Sequence, residues 1–189
     1  VSINAPYKIS SPREYLTDHA WKEEEELLYY ARRESFIQAV KYSTCGKMPY
    51  GTHSHFIGRA QSNDCWKPAG CANAARAIAR RGHQIQAAKN FHGLWLQVQM
   101  ALTSGPNQHM SAASAAKSVC VFDIALWIGS YLGLQPEYVY LHAGTLAGAE
   151  RLLGRSLKGC SHLRMSELPE EWWSLRPYHA ETALCAYKS

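Results

Sequence analysis

The stretch MSAASAAKSVCVFDIALWIGSYLG, residues 110–133, decides between two folds. Read as one segment, it is a single long helix, apolar on all sides and therefore buried. Read as two, Ser118–Phe122 is a strand, and Asp123 caps the helix that follows it. The single helix is the preferred reading.

Downstream, LQPEYVYLHAGT reads as a strand over Glu137–His142, with Pro136 just outside its start. LAGAERLLG reads as a short helix stopped by Gly154. In the tail, SELPEEWWSLRPYHAETALCAYKS predicts a helical turn after Pro169 and a terminal strand, Thr182–Tyr187.

Upstream, residues 1–12 read as an extended arm, and a helix is expected from Arg13 to Lys41 with a break near Asp18. Leu27, Tyr30, Phe36, Ile37 and Val40 form its apolar stripe. The acidic run Glu23–Glu26 reads as a solvated first turn that suits the helix dipole. Residues 71–104 predict two helices, or one bent near Gly82. The expected fold is thus α+β: a predominantly helical single domain (13–189) with a small β-sheet. The two-piece reading of the opening stretch instead makes a βαβα unit of residues 117–153 and moves the fold to α/β.

A chain of 189 residues buries about 70% of its unfolded surface and folds without staples. With 47% hydrophobic and 19% charged residues it is not a disordered chain. No apolar run approaches the ~20 residues of a membrane span. The first residues, VSINAPYKISSPREY, lack a basic-then-apolar leader pattern, and the expected location is cytoplasmic, with reduced thiols. The net charge of +5 suits an anionic partner without requiring one. No glycine-rich nucleotide loop is present.

Chemistry concentrates in residues 42–73, YSTCGKMPYGTHSHFIGRAQSNDCWKPAGCAN, a connection without helical or strand period. A loop this long inside a compact domain is usually functional. Cys65 and Cys71 approach the start of the next helix, where free N–H groups and the dipole stabilise a thiolate. Cys65 is the expected nucleophile. Trp66 walls its cleft, and backbone amides near Cys71 bind the oxyanion. His142, at the end of the predicted strand, is the expected base, with Gly144 and Thr145 receiving substrate beside it. Asp123, His162 and Glu181 are the candidates for orienting that base. His179 and Glu181 share a face if their segment is a strand.

The leading functional expectation is a small soluble thiol-dependent hydrolase or transferase, without cofactor, acting on an amide or ester of a small molecule or protein. The first alternative is a nucleic-acid-binding or processing protein. There Arg76, Arg80, Arg81, Lys89 and Arg151 meet phosphates, and zinc ties a loop through Cys45, His53, His55, Cys65 and Cys71. Only His53 and His55 have tight ligand spacing in that set. The second alternative is a binding module without chemistry. Cys120 and Cys185, inside apolar runs, read as small buried hydrophobes.

Overall fold

In the computed structural model, residues 9–52, 68–104, 111 and 118–187 are described. Helix starts follow the side chains that can cap them. Ser11 Oγ accepts from the Glu14 N–H, with Pro12 at the first helical position of α1 (Pro12–Asp18). After a break at His19 comes α2 (Ala20–Ala31). Ser35 then accepts from the Gln38 N–H and starts α3 (Phe36–Thr44). The expected continuous helix to Lys41 is therefore interrupted a second time, because Ser35 captures a backbone donor that a through-running helix would use itself.

Gly46, at φ 59°, turns the chain out of α3 into a hairpin of β1 (Lys47–Met48) and β2 (Gly51–Thr52), paired Lys47 to Thr52 and Met48 to Gly51. Next come α4 (Pro68–Arg80), the short α5 (Gly82–Gln86) and α6 (Phe91–Thr103), the last capped by Asn90 on the Gly93 N–H. The predicted pair of helices thus carries an extra short one after its break at Arg81.

Within the opening stretch α7 runs from Val119 to Leu132 and ends on Gly133 in the left-handed region at φ 72°. The expected long helix is shorter, because Ser118 is extended as its N-cap, and residues 110 and 112–117 lie outside the described residues. The βαβα alternative for 117–153 fails, because Val119–Phe122 lie in this helix. Asp123 sits inside α7, buried, and caps no helix start. Beyond it come β3 (Val139–Tyr140), α8 (Ala143–Leu153) and β4 (His162–Leu163), with β3 and β4 antiparallel. Two 3₁₀ turns, Met165–Glu167 and Glu170–Trp172, precede α9 (Pro177–Tyr187).

The expected terminal strand is instead α9. Pro177 opens it, and Ala180, Ala183 and Leu184 recur at helical spacing on its buried side. His179 and Glu181 therefore do not share a strand face.

The protein is predominantly helical with small antiparallel strand pairs, an α+β fold. Packing groups it into two compact units, residues 26–135 and residues 1–25 with 136–189. In the first, α3 packs on α7, α7 on α6, α6 on α4 and α4 on α3, closing a ring of four helices. Tyr30 stacks on Trp127 with ring centroids 5.1 Å apart, and Ser130 Oγ donates to the Leu27 carbonyl at 2.6 Å. In the second, α8 packs along α9 over a core that includes Tyr15, Val139, Leu163, Trp172 and Leu184.

Charge divides unevenly between the two. Residues 26–135 hold eleven Lys and Arg against four Asp and Glu, and the remainder nine against eleven. The first unit is therefore +7 and the second −2. Among the described residues, no helix is long and apolar enough to cross a membrane.

Candidate functional site

Cys45 ends α3 as its C-cap, its N–H bonded to the Tyr42 carbonyl at 3.2 Å. Cys71 occupies the first turn of α4. Because α3 and α4 pack together, these two ends meet, and the Cys71 and Cys45 thiols adjoin. Both cysteines are free; Cys45 is exposed and Cys71 half-buried.

Two adjacent thiols do not ionise independently. The adjoining Cys71 thiol is the largest cause pulling Cys45 down to about 6, aided by the Thr44 hydroxyl and the Lys47 ammonium, while burial opposes them. Cys71 is pushed far up, first by the adjoining Cys45 sulfur and then by burial, since both disfavour a second negative charge there. Cys120, in the first turn of α7, adds to the upward push on Cys71. The pairing thus lowers the exposed Cys45 thiol and raises that of Cys71.

Around Tyr42, one turn before Cys45, two cations lie on tyrosine faces. The Arg33 guanidinium stands 3.8 Å from the Tyr29 ring centroid and 5.5 Å from that of Tyr42, and its Nε donates to the Tyr29 carbonyl at 2.7 Å. Lys47 Nζ lies 4.3 Å from the Tyr42 centroid. Stacking of this kind holds a guanidinium in place and leaves its edge available to oxyanions.

The expected base has a different setting. His142 is the N-cap of α8, and its Nδ1 accepts from the Gly144 N–H at 3.3 Å. With Nδ1 accepting, the ring proton belongs on Nε2, which donates to Glu181 Oε1 on α9. Thr145 Oγ1 stands 2.8 Å from Nε2 and donates to the same carboxylate oxygen at 2.9 Å. Thr182 Oγ1 bonds the other oxygen at 3.2 Å and also reaches Glu23, which accepts from the Tyr15 hydroxyl. His142, Thr145 and Glu181 are all buried. A catalytic base requires a nitrogen lone pair directed at the nucleophile. Here one nitrogen caps a helix and the other ties α8 to α9.

Of the sequence-predicted residues, His142, Gly144, Thr145 and Glu181 come together. His162 lies on β4, where its Nδ1 is 2.9 Å from Ser161 Oγ and its ring packs 4.5 Å from that of Tyr138. Asp123 belongs to the other unit. Arg76 bonds the Asn73 side chain, and Arg80 is exposed four residues along α4. Cys65, Trp66, His53 and His55 lie outside the described residues. Among the described residues no group of three or more His, Cys, Asp or Glu is placed to hold a metal ion. Of the zinc set, only Cys45 and Cys71 can be located. Cys120 is buried as expected, and Cys185 is half-buried.

Sequence reading weighed His179 only beside Glu181 on a strand face, and the helix gives it a different setting. It is 4% exposed, and neither ring nitrogen makes a hydrogen bond, although Nε2 lies 3.3 Å from Glu24 Oε1. That separation is short enough for an ion pair, but the ring is not oriented to donate along it. Burial, aided by the Arg176 charge and opposed by Glu24, lowers its pKa. The available signal was Pro177, which marks a helix start and so turns this histidine inward.

No protein-family model, curated protein or solved structure matches this chain.

Proposed function

We propose that the chain is a thiol-dependent enzyme of the dithiol–disulfide type, with Cys45 as the reacting sulfur and Cys71 as the resolving thiol. The observation that carries this reading is the meeting of two free thiols, the exposed Cys45 and Cys71, where the ends of α3 and α4 pack together. An attacking thiol works best when its pKa lies near the ambient pH, and Cys45 is drawn into that range. A neighbouring second thiol supplies what disulfide exchange requires next, a group that displaces the first product. Amide or ester hydrolysis through Cys65 is less favoured, because both nitrogens of His142 are engaged within its own unit.

Alkylation by iodoacetamide between pH 5 and 9, read on the Cys45 peptide by mass spectrometry, tests this. Half-maximal reactivity is expected near pH 6, moving toward the ordinary ~8.5 in Cys71→Ala. A wild-type Cys45 that already titrates near ~8.5 would remove the basis of the proposal.

A second reading is favoured by a separate observation, the +7 charge of residues 26–135 with Arg76 and Arg80 exposed one turn apart on α4. A surface of this kind binds nucleic-acid phosphates and loses affinity as salt displaces it. Titration of the full chain into random duplex DNA at rising salt checks this. Weakening by about tenfold or more between 50 and 200 mM salt is expected if several phosphates are contacted. Binding that is absent or indifferent to salt excludes this reading.

A further inference from the structure

The cations beside Cys45 carry the thiol reading further, to a class of substrate. Arg33 is fixed by its stack on Tyr29 and its bond to the Tyr29 carbonyl, and Lys47 lies over Tyr42, one turn before Cys45 on α3. Neither cation has a carboxylate within ion-pair distance among the described residues. Two positive charges near one ring repel each other, and an anion arriving there relieves the repulsion. Tyr42, near whose ring both cations lie, accepts the Cys45 N–H through its carbonyl at 3.2 Å, and Lys47 follows Cys45 closely in the chain, so the positive field and the reacting atom belong to one locality.

We propose that Cys45 exchanges with small disulfides bearing anionic groups, whose carboxylates or equivalent oxyanions are held by Arg33 and Lys47. This inference rests on the thiol reading above and adds the choice of substrate to it. The Cys45 thiolate attacks one sulfur of R–S–S–R, the S–S bond breaks, and R–S⁻ leaves to take a proton from solvent. Cys71 gives its proton to solvent and attacks the Cys45 sulfur of the mixed disulfide. The Cys45–Cys71 bond forms as the second R–S⁻ departs and is protonated. Two electrons pass from the two cysteines to the small disulfide, leaving two R–SH. Anionic groups on R would be repelled by the thiolate alone, so the two cations are what makes such a substrate preferred over a cationic one.

The experiment uses the reduced full chain at low salt with three probe disulfides: 3,3′-dithiodipropionate, cystamine and bis(2-hydroxyethyl) disulfide. Rates are read on the Cys45 peptide, and each is divided by the rate of 2-mercaptoethanol with the same probe, which removes intrinsic leaving-group differences. The normalised anionic-to-cationic ratio is expected to be about tenfold or more, within the range of electrostatic steering. It should shrink toward one at about 0.5 M salt and in the Arg33→Gln/Lys47→Gln variant. Because it compares two probes on the same sulfur, the ratio does not depend on any shift of Cys45 ionisation in the variant. A normalised ratio near one, or one favouring cystamine, overturns the anionic preference while the dithiol reading stands. Failure of all three probes to react at Cys45 overturns both.

Discussion

Glu181 shows how one side chain can hold two helices. Its carboxylate accepts from His142 Nε2 and from Thr145, both in the first turn region of α8, while its own backbone belongs to α9. In a buried setting, a donor that loses its acceptor costs about 1–3 kcal/mol. Glu181→Leu is therefore expected to lower stability by about that amount in chemical denaturation. Adding His142→Leu should cost less than the sum of the two single changes, since both remove the same bond. Strict additivity would show that the two side chains are not coupled. Sequence reading had drawn His142, Thr145 and Glu181 into one candidate site, and they do assemble. Their role differs because the direction of each ring nitrogen depends on where the neighbouring backbone N–H and carboxylate arrive, which no residue spacing records.

Among the elements, the closest approach is between α8 and α9. A Cβ added at Gly148 would overlap the Leu184 carbonyl oxygen and lie 2.7 Å from its carbonyl carbon. Those atoms are backbone of a packed helix and cannot swing aside as a side-chain tip can. Gly148→Ala should therefore push α8 and α9 apart, costing about 2 kcal/mol and lowering Tm by roughly 4–8 °C. A melting temperature unchanged within about a degree would mean the two helices do not meet at this glycine. Helix α9 itself was misread as a strand from its Thr182–Tyr187 end, where β-formers cluster. Pro177 and the Ala180, Ala183, Leu184 spacing carried the helical signal, and burial against α8 made it decisive. The helix over Val119–Leu132, the later part of the opening stretch, was legible for the opposite reason. A run apolar on every side has only one comfortable place, and α7 lies in the middle of its unit with Cys120–Gly129 all buried.

At the scale of the whole molecule, the charge that appears as a modest +5 is the sum of a strongly basic unit and a slightly acidic one. Both functional proposals draw on the basic unit, and the probe ratio and the DNA titration separate them. Composition, helical period and the stop at Gly154 are properties of neighbouring residues, so the chain alone specified a predominantly helical α+β protein. Cysteine numbers and loop context likewise marked residues 42–73 as the place to look for thiol chemistry. Tertiary packing alone decided that Cys45 meets Cys71 and that His142 Nε2 meets Glu181. These pairings join residues that are remote in sequence, such as the 39 positions from His142 to Glu181. A hydrogen bond or a shared proton depends on ångström-scale separation, which arises only when distant helices close on one another.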